Sequence, residues 1–164
     1  MKILVASDTH LSVDRLIEVA ELEQPDKIFH LGDSLGKVEQ VEAICEVPVT
    51  AVRGNCDSDI SLRSEVIEEI GSHKALLTHG HYYGVGCDVE DLDELIAAAK
   101  AKGCDIVMYG HTHVPLLSRG YKGMTILNPG SISSPRQPSR KCTYAVIEVL
   151  ENGDFSIAMK EAKK

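Results

Sequence analysis

The sequence predicts an α/β fold that starts as a parallel sheet and turns more antiparallel toward its C-terminal half. Short apolar runs rich in Ile and Val alternate with segments of helical period over the first 52 residues, the pattern of right-handed β–α–β crossovers. After about residue 65, strand-like runs follow one another with short Gly- or Asn-containing turns between most of them. Polar residues also recur just past the strand ends, which in open α/β sheets is where ligands bind.

The elements are expected in this order. Lys2–Ala6 reads as a buried strand, apolar and ended by Ser7-Asp8. Ser12 is the expected N-cap of a helix over Val13–Glu23, with Leu16, Ile17 and Ala20 on one face and Pro25 beyond its end. Lys27–Leu31 forms the second strand, Lys37–Cys45 the second helix (Val38, Val41 and Ile44 apolar) and Val47–Val52 the third strand. Glu65–Ile70 and Lys74–Thr78 pair through Gly71-Ser72, leaving His73 solvated in the turn. Asp88 or Asp91 opens a helix running to Lys102, stopped by Gly103. Asp105–Tyr109 is a strand, followed by strands over Val114–Ser118, Met124–Leu127, Thr143–Leu150 and Asp154–Met159. Gly120-Tyr121, Asn128-Pro129-Gly130 and Asn152-Gly153 are read as turns, and Asn128-Pro129-Gly130-Ser131 has a second reading as a segment lining the ligand cleft beyond the strand ends.

A chain of 164 residues suits one domain over residues 1–164, burying roughly 70% of its unfolded surface. The net charge of −8 argues against stable nucleic-acid binding. Against that average, no acid stands between Asp105 and Glu148, where Arg119, Lys122, Arg136, Arg140 and Lys141 all fall. That stretch is expected to draw in phosphate. Five scattered cysteines without a C-x-x-C indicate reduced thiols in a cytoplasmic protein, and the N-terminal apolar run is too short for a signal core or a membrane span.

The residues past the strand ends are chemically coherent. Strand one is followed by Asp8-Thr9-His10, strand two by Asp33, strand three by Asn55, a later strand by His79, and the next by Gly110-His111-Thr112-His113. Two histidines at i and i+2 can aim at one point if the extended backbone continues through them. Seven N and O donors exceed the needs of one ion, and two divalent ions sharing Asp33 fit better. A mixed N/O set suits Mn, Fe, Ni, Co or Zn over Ca or Mg. Two divalent ions against two carboxylates leave positive charge for a phosphoryl group.

Asp-x-His, Gly-Asp, Gly-Asn, His-Gly-His and Gly-His-Thr-His, in this order, resemble the calcineurin-like metallophosphoesterases. Arg53-Gly54-Asn55-Cys56-Asp57, Asn128-Pro129-Gly130-Ser131 and Pro135-Arg136 resemble that family's small single-domain prokaryotic phosphodiesterase branch. The resemblance implies a four-layer α/β/β/α sandwich of two mixed sheets, and Asp8, His10, Asp33 and His113 at one ion with Asp33, Asn55, His79 and His111 at the other. It implies Mn²⁺ as the usual metal and a small phosphodiester as substrate, cleaved by a hydroxide held between the ions. A homodimer is also in keeping with it. Many relatives have His where this chain has Cys56, a poor acid for a basic alkoxide, so leaving groups that need little help are expected.

Arg53 and Arg136 are read as phosphate-holding residues, His81 as facing substrate, and His30 as a core histidine. A phosphomonoesterase or nucleotidase is the alternative activity. Some relatives of this fold are protein-binding scaffolds with a degraded metal site; here all seven ligand positions are kept. Gly32-Asp33-Ser34-Leu35 matches a lipase-like serine-esterase signature, but it follows the wrong strand and lacks the Asp-x-x-His partner. Gly84-x-Gly86 lacks the setting of a nucleotide loop.

Overall fold

The computed structural model describes residues 1–10 and 12–163; Leu11 and Lys164, both within the expected 1–164 domain, lie outside the described residues. In chain order the elements are β1 (Lys2–Ala6), α1 (Asp14–Glu23), β2 (Lys27–His30), α2 (Val38–Cys45), β3 (Val49–Ala51), β4 (Glu65–Ile70), β5 (His73–Thr78), α3 (Asp93–Ala101), β6 (Ile106–Met108), β7 (Leu116–Tyr121), β8 (Met124–Asn128), β9 (Thr143–Val149) and β10 (Phe155–Glu161). They form two five-stranded sheets, ordered β10-β9-β1-β2-β3 and β4-β5-β6-β8-β7. Both are mixed. In the first, β1, β2 and β3 are parallel, with β9 and β10 antiparallel beyond β1. In the second, β5, β6 and β8 are parallel, with β4 and β7 antiparallel at the two edges.

The apolar runs explain the layering. In β1, Ile3 and Val5 join an inter-sheet core with Phe29, Leu31, Leu77, Met108 and Leu127. The alternate residues Leu4 and Ala6 face the other way, against Leu16, Val19 and Ala20 of α1 and Val41 of α2. A strand buried on both faces must be apolar at every position, hence the continuous run. The second sheet repeats the scheme, with Leu76, Val107 and Ile126 packed on Leu95, Ile96 and Ala99 of α3. Three cores between four layers give the expected α/β/β/α sandwich. Each fully buried Leu or Ile in these cores is worth roughly 1.5–3 kcal/mol over its exposed state.

Several boundaries differ from the sequence expectation. The Ser12 hydroxyl lies 3.4 Å from the Asp14 carboxylate and caps nothing, so α1 begins at Asp14 without a side-chain cap. β3 starts at Val49 because Pro48 has no N–H, although its carbonyl accepts from the Ile28 N–H at 3.0 Å. Residues 89–92 form a 3₁₀ turn, and α3 begins only at Asp93. Gly120-Tyr121 is not a turn. β7 continues through it with a bulge, and the two-residue reversal is Lys122-Gly123, both at positive φ. His73 opens β5 rather than sitting in solvent, its Nδ1 2.5 Å from the Asp105 carboxylate and its ring edge-on to Phe155. Among the described residues no helix is long and apolar enough to cross a membrane.

Candidate metal centre

The loops that leave β1, β2, β3, β5 and β6 meet at one edge of the sandwich. The backbone ladder runs on past the strands: the Asp8 N–H donates to the Gly32 carbonyl at 3.0 Å, His10 to Asp33 at 2.9 Å and Gly110 to His79 at 3.2 Å. Glycines allow the two sheets to close here. A Cβ on Gly32 would fall 2.5 Å from His79 Nδ1, and one on Gly110 would fall 2.9 Å from an Asp8 carboxylate oxygen. Asp8, His10, Asp33, His111 and His113 all have φ between 48° and 67°. Left-handed backbone is uncommon outside glycine and gathers at functional sites, where surrounding contacts hold it. The two histidines after β6 therefore do not continue an extended strand. They flank Thr112, whose N–H turns back to the Gly110 carbonyl at 2.8 Å, and each ring is aimed separately.

All seven expected residues are brought together. His10 Nε2 lies 3.3 Å from His113 Nε2, which is 3.1 Å from Asp8 Oδ1. His79 Nε2 lies 3.5 Å from Asp33 Oδ2, 4.0 Å from Asp8 Oδ1 and 3.1 Å from Asn55 Oδ1. That amide oxygen is also 2.9 Å from His111 Nδ1. Ligand atoms of Asp8, His10 and His113 lie within 4.8 Å of one another, as do those of Asp8, Asp33 and His79. Asp8 is the residue common to these two groups, and Asp33 belongs to the second. A third grouping, His10, Asp33 and Cys56, brings the thiol within reach of ligand atoms.

The tautomers are set by the main chain. His79 Nδ1 is 2.6 Å from the Leu31 carbonyl, and His113 Nδ1 is 2.5 Å from the Ser134 carbonyl, so each Nδ1 must be the donor. In a neutral ring Nε2 then carries a lone pair, and it points at carboxylate and amide oxygens. Asp8 Oδ1 is buried without a hydrogen-bond partner. Such a concentration of acceptors needs either protons or cations. Without metal, protons serve. Burial would push His79 and His113 down, but the Asp33 and Asp8 carboxylates override it and raise both. Burial would likewise raise Asp33, yet His79 and the Cys56 N–H hold its carboxyl well below the usual range. Burial opposes the lowering of Asp8 too, and His113, His79 and Ser7 prevail. His111, by contrast, is pushed down by burial and by the His79 charge. The N/O donor set and the orphaned Asp8 oxygen fit divalent transition metals.

Residues outside the expected ligand set hold these candidate ligands in place. The Asp57 carboxylate accepts from the main-chain N–H groups of Asp33 (2.8 Å), Gly54 (2.8 Å) and Leu35 (2.6 Å). Ser131 and Ser133 both donate to the Asp8 carbonyl, at 2.8 and 2.9 Å. Asn128 does more than turn the chain, because its Nδ2 donates to the Gly110 carbonyl at 2.9 Å and to Thr112 Oγ1 at 3.0 Å. Motif membership marks Asp57, a cleft-lining reading also covers Asn128 and Ser131, and nothing in the sequence marks Ser133. Their partners lie up to 125 residues away.

The remaining expected residues are placed as follows. Cys56 is exposed, and burial of its sulfur together with the Asp33 carboxylate pushes the thiol up to about 11. His81 has its ring centroid 5.4 Å from that of His79 and 6.2 Å from that of His111. Arg53 Nη2 donates to the Tyr82 hydroxyl at 3.3 Å, and the exposed Arg136 donates its N–H to the His113 carbonyl at 3.2 Å. His30 is a core residue bonded to Thr9 Oγ1 at 3.1 Å, and burial pushes it down to about 4. The expected basic approach does not form as a surface. Lys122 and Lys141 are paired with Asp93 and Glu161, Arg119 lies over the Phe155 ring, and Arg140 donates to the Pro135 carbonyl. Arg136 lies close enough for its charge to act on His111 and His113.

Two mixed sheets between helices, with His, Asp and Asn converging where strands of both end, define a metallophosphoesterase: the chain belongs to the calcineurin-like phosphoesterase superfamily, whose domain matches residues 1–152. It is similar to the probable metallophosphoesterase YsnB of Bacillus subtilis, 34% identical over 93% of this chain and 86% of that one. It is also similar to phosphodiesterase YfcE of Escherichia coli K12, 30% identical over 83% of this chain and 82% of the other. The crystal structure of a protein from Streptococcus pneumoniae described as a predicted phosphoesterase superposes with a TM-score of 0.77 at 32% identity, over 98% of this chain and 89% of its own. The zinc complex of Vps29 from Entamoeba histolytica shares the fold, with a TM-score of 0.76 at 20% identity over 99% of this chain and 100% of that one.

Proposed function

We propose that the chain is a phosphodiesterase that works with two divalent ions. The observation that carries this reading is the set of buried acceptors: two imidazoles with Nδ1 fixed on carbonyls, turning Nε2 toward Asp8, Asp33 and Asn55. Asp8, His10, Asp33 and His113 would hold one ion, and Asp33, Asn55, His79 and His111 the other. Such ions, when bound, supply an activated water and neutralise phosphoryl charge. Mn²⁺ suits the donor set, as do Ni²⁺, Fe²⁺, Co²⁺ and Zn²⁺. The five unpaired thiols are in keeping with a reducing, cytoplasmic compartment.

The chain's own residues do the rest. Asp33 turns Oδ2 toward His79 at 3.5 Å while its Oδ1 accepts from the Cys56 N–H at 2.8 Å, and it would serve both ions. Asn55 presents its amide oxygen to His79 and His111, and its Nδ2 lies 3.3 Å from Cys56 Sγ. Arg136 adds positive charge beside the His pair. The Cys56 thiol, raised to about 11, is a far weaker acid than an imidazolium, so aryl diesters with stable leaving groups should outpace alkyl monoesters. The test is turnover of bis(p-nitrophenyl) phosphate, an alkyl monoester and a nucleotide by metal-loaded protein, beside His111→Ala. Aryl-diester cleavage that is lost on chelation and in the variant supports the reading. Cleavage that survives both contradicts it, and faster monoester turnover points to a monoesterase.

A further inference from the structure

We infer that Tyr82 is a stacking platform for an aromatic group carried by the phosphoester, so that this site selects aryl or nucleoside esters over small alkyl ones. The inference rests on the phosphoesterase reading and names its substrate class. Of the five Tyr and two Phe in the chain, Tyr82 is the one that is exposed, at 62%. The others lie in or against the cores. A single exposed apolar side chain is ordinary in itself; what sets Tyr82 apart is that an amphipathic ring is held beside the candidate ligands.

The ring is exposed and yet fixed. Tyr82 sits in the middle of a 3₁₀ turn, His81–Tyr83, that leaves the end of β5. The turn is closed by the Tyr83 N–H on the Gly80 carbonyl at 2.9 Å. Gly80 has φ +100° and a Cβ there would lie 2.8 Å from Val85, so this backbone is set by packing. On one side Tyr83 packs against the α3 core and hydrogen-bonds Glu65. On the other, the His81 ring lies 4.0 Å from that of Tyr82, between it and the candidate ligands His79 and His111. Arg53, immediately before Gly54-Asn55, donates Nη2 to the Tyr82 hydroxyl from across the cleft edge. The tyrosine is therefore tied to both the β3 and β5 ligand loops and stands one ring outward from the centre. A phosphoryl group held at the ligands would lay an attached aromatic ring on the Tyr82 face, with the Arg53 guanidinium at its border.

Titration calorimetry on the Mn²⁺-loaded chain tests this with two inert ligands, methylphosphonate and phenylphosphonate. The unchanged protein should bind the phenyl compound more tightly. Tyr82→Ala should weaken phenylphosphonate about 5- to 30-fold, the effect of losing one stacked ring, and leave methylphosphonate within about twofold. Tyr82→Phe, which keeps the ring and drops only the Arg53 contact, should hold the phenyl preference within about threefold. If Tyr82→Ala weakens both ligands alike, or if the phenyl compound gains nothing in the unchanged protein, the platform is wrong while the phosphoester site stands. If neither phosphonate binds, the phosphoester reading falls and takes the platform with it.

Discussion

Asp57 shows at the residue scale how a candidate ligand is held by a side chain that is not one. Its carboxylate collects three main-chain donors, from Asp33, Leu35 and Gly54, so one side chain fixes the backbone of two ligand loops. Replacing it with Ala would leave buried N–H groups without acceptors, at about 1–3 kcal/mol each before water relaxes into the gap. Asp57→Ala is therefore expected to lower unfolding stability by roughly 2–4 kcal/mol and to weaken metal binding, although the residue touches no ion. Urea unfolding followed with and without metal checks both effects. The seven candidate ligands were legible in the sequence because each follows a strand end and has metal-binding chemistry. The holding roles of Asp57 and Ser133 were not, because they act through hydrogen bonds to residues distant in the chain, and Asn128-Pro129-Gly130-Ser131 was legible as a turn first and a cleft-lining segment second. The left-handed φ values of His111 and His113 were also hidden, since nothing in Gly-His-Thr-His distinguishes an extended pair from one folded about Thr112.

At the scale of elements, α1 is tied to the first sheet by one buried acid at its last turn. Glu23 accepts from Tyr144 on β9 at 2.8 Å and from Lys160 on β10 at 2.8 and 2.9 Å. Burial would raise its carboxyl, but Lys160 and Tyr144 outweigh burial and lower it. A carboxyl lowered on folding adds stability that is complete above its unfolded pKa, near 4.5, and is lost as pH falls through the folded value. Glu23→Gln should thus cost stability at neutral pH and progressively less in acid, as compared urea midpoints would show; an unchanged difference across that range contradicts the coupling. The loop after β6 gives a second element-scale expectation. Gly110→Ala puts a methyl group 2.0 Å from the buried Ser7 Oγ and against Asp8 and the Leu31 carbonyl, and should abolish metal binding and cost roughly 1–3 kcal/mol of stability, as read by metal titration beside urea unfolding. Strand and helix identity was readable because buried faces dictate period. Their ends were less so: Ser12 is spent on Asp14, Pro48 delays β3, and Lys122-Gly123 reverses the chain without the usual Asn-Gly or Asp-Gly signal.

For the molecule as a whole, the two sheets are joined at the metal edge, and the centre exchanges one kind of positive charge for another. His79 and His113 hold protons more firmly than ordinary imidazoles because Asp8 and Asp33 face them. Entry of metal must displace those protons, so affinity should rise with pH, and fewer protons should leave per ion as the pH rises through the raised imidazole values. Calorimetry in buffers of different ionisation enthalpy counts them. Overall charge was a poor guide at this scale. The acid-free stretch suggested a basic face, but folding scatters its cations and leaves Arg136 beside the His pair. The central claim is that the seven side chains hold two ions, and an anomalous difference map from a Mn²⁺-soaked crystal tests it most directly. Two peaks are expected, roughly 3.5–4 Å apart, with Asp33 touching both. One peak alone, or peaks away from Asp8, Asp33 and the histidines, would contradict it.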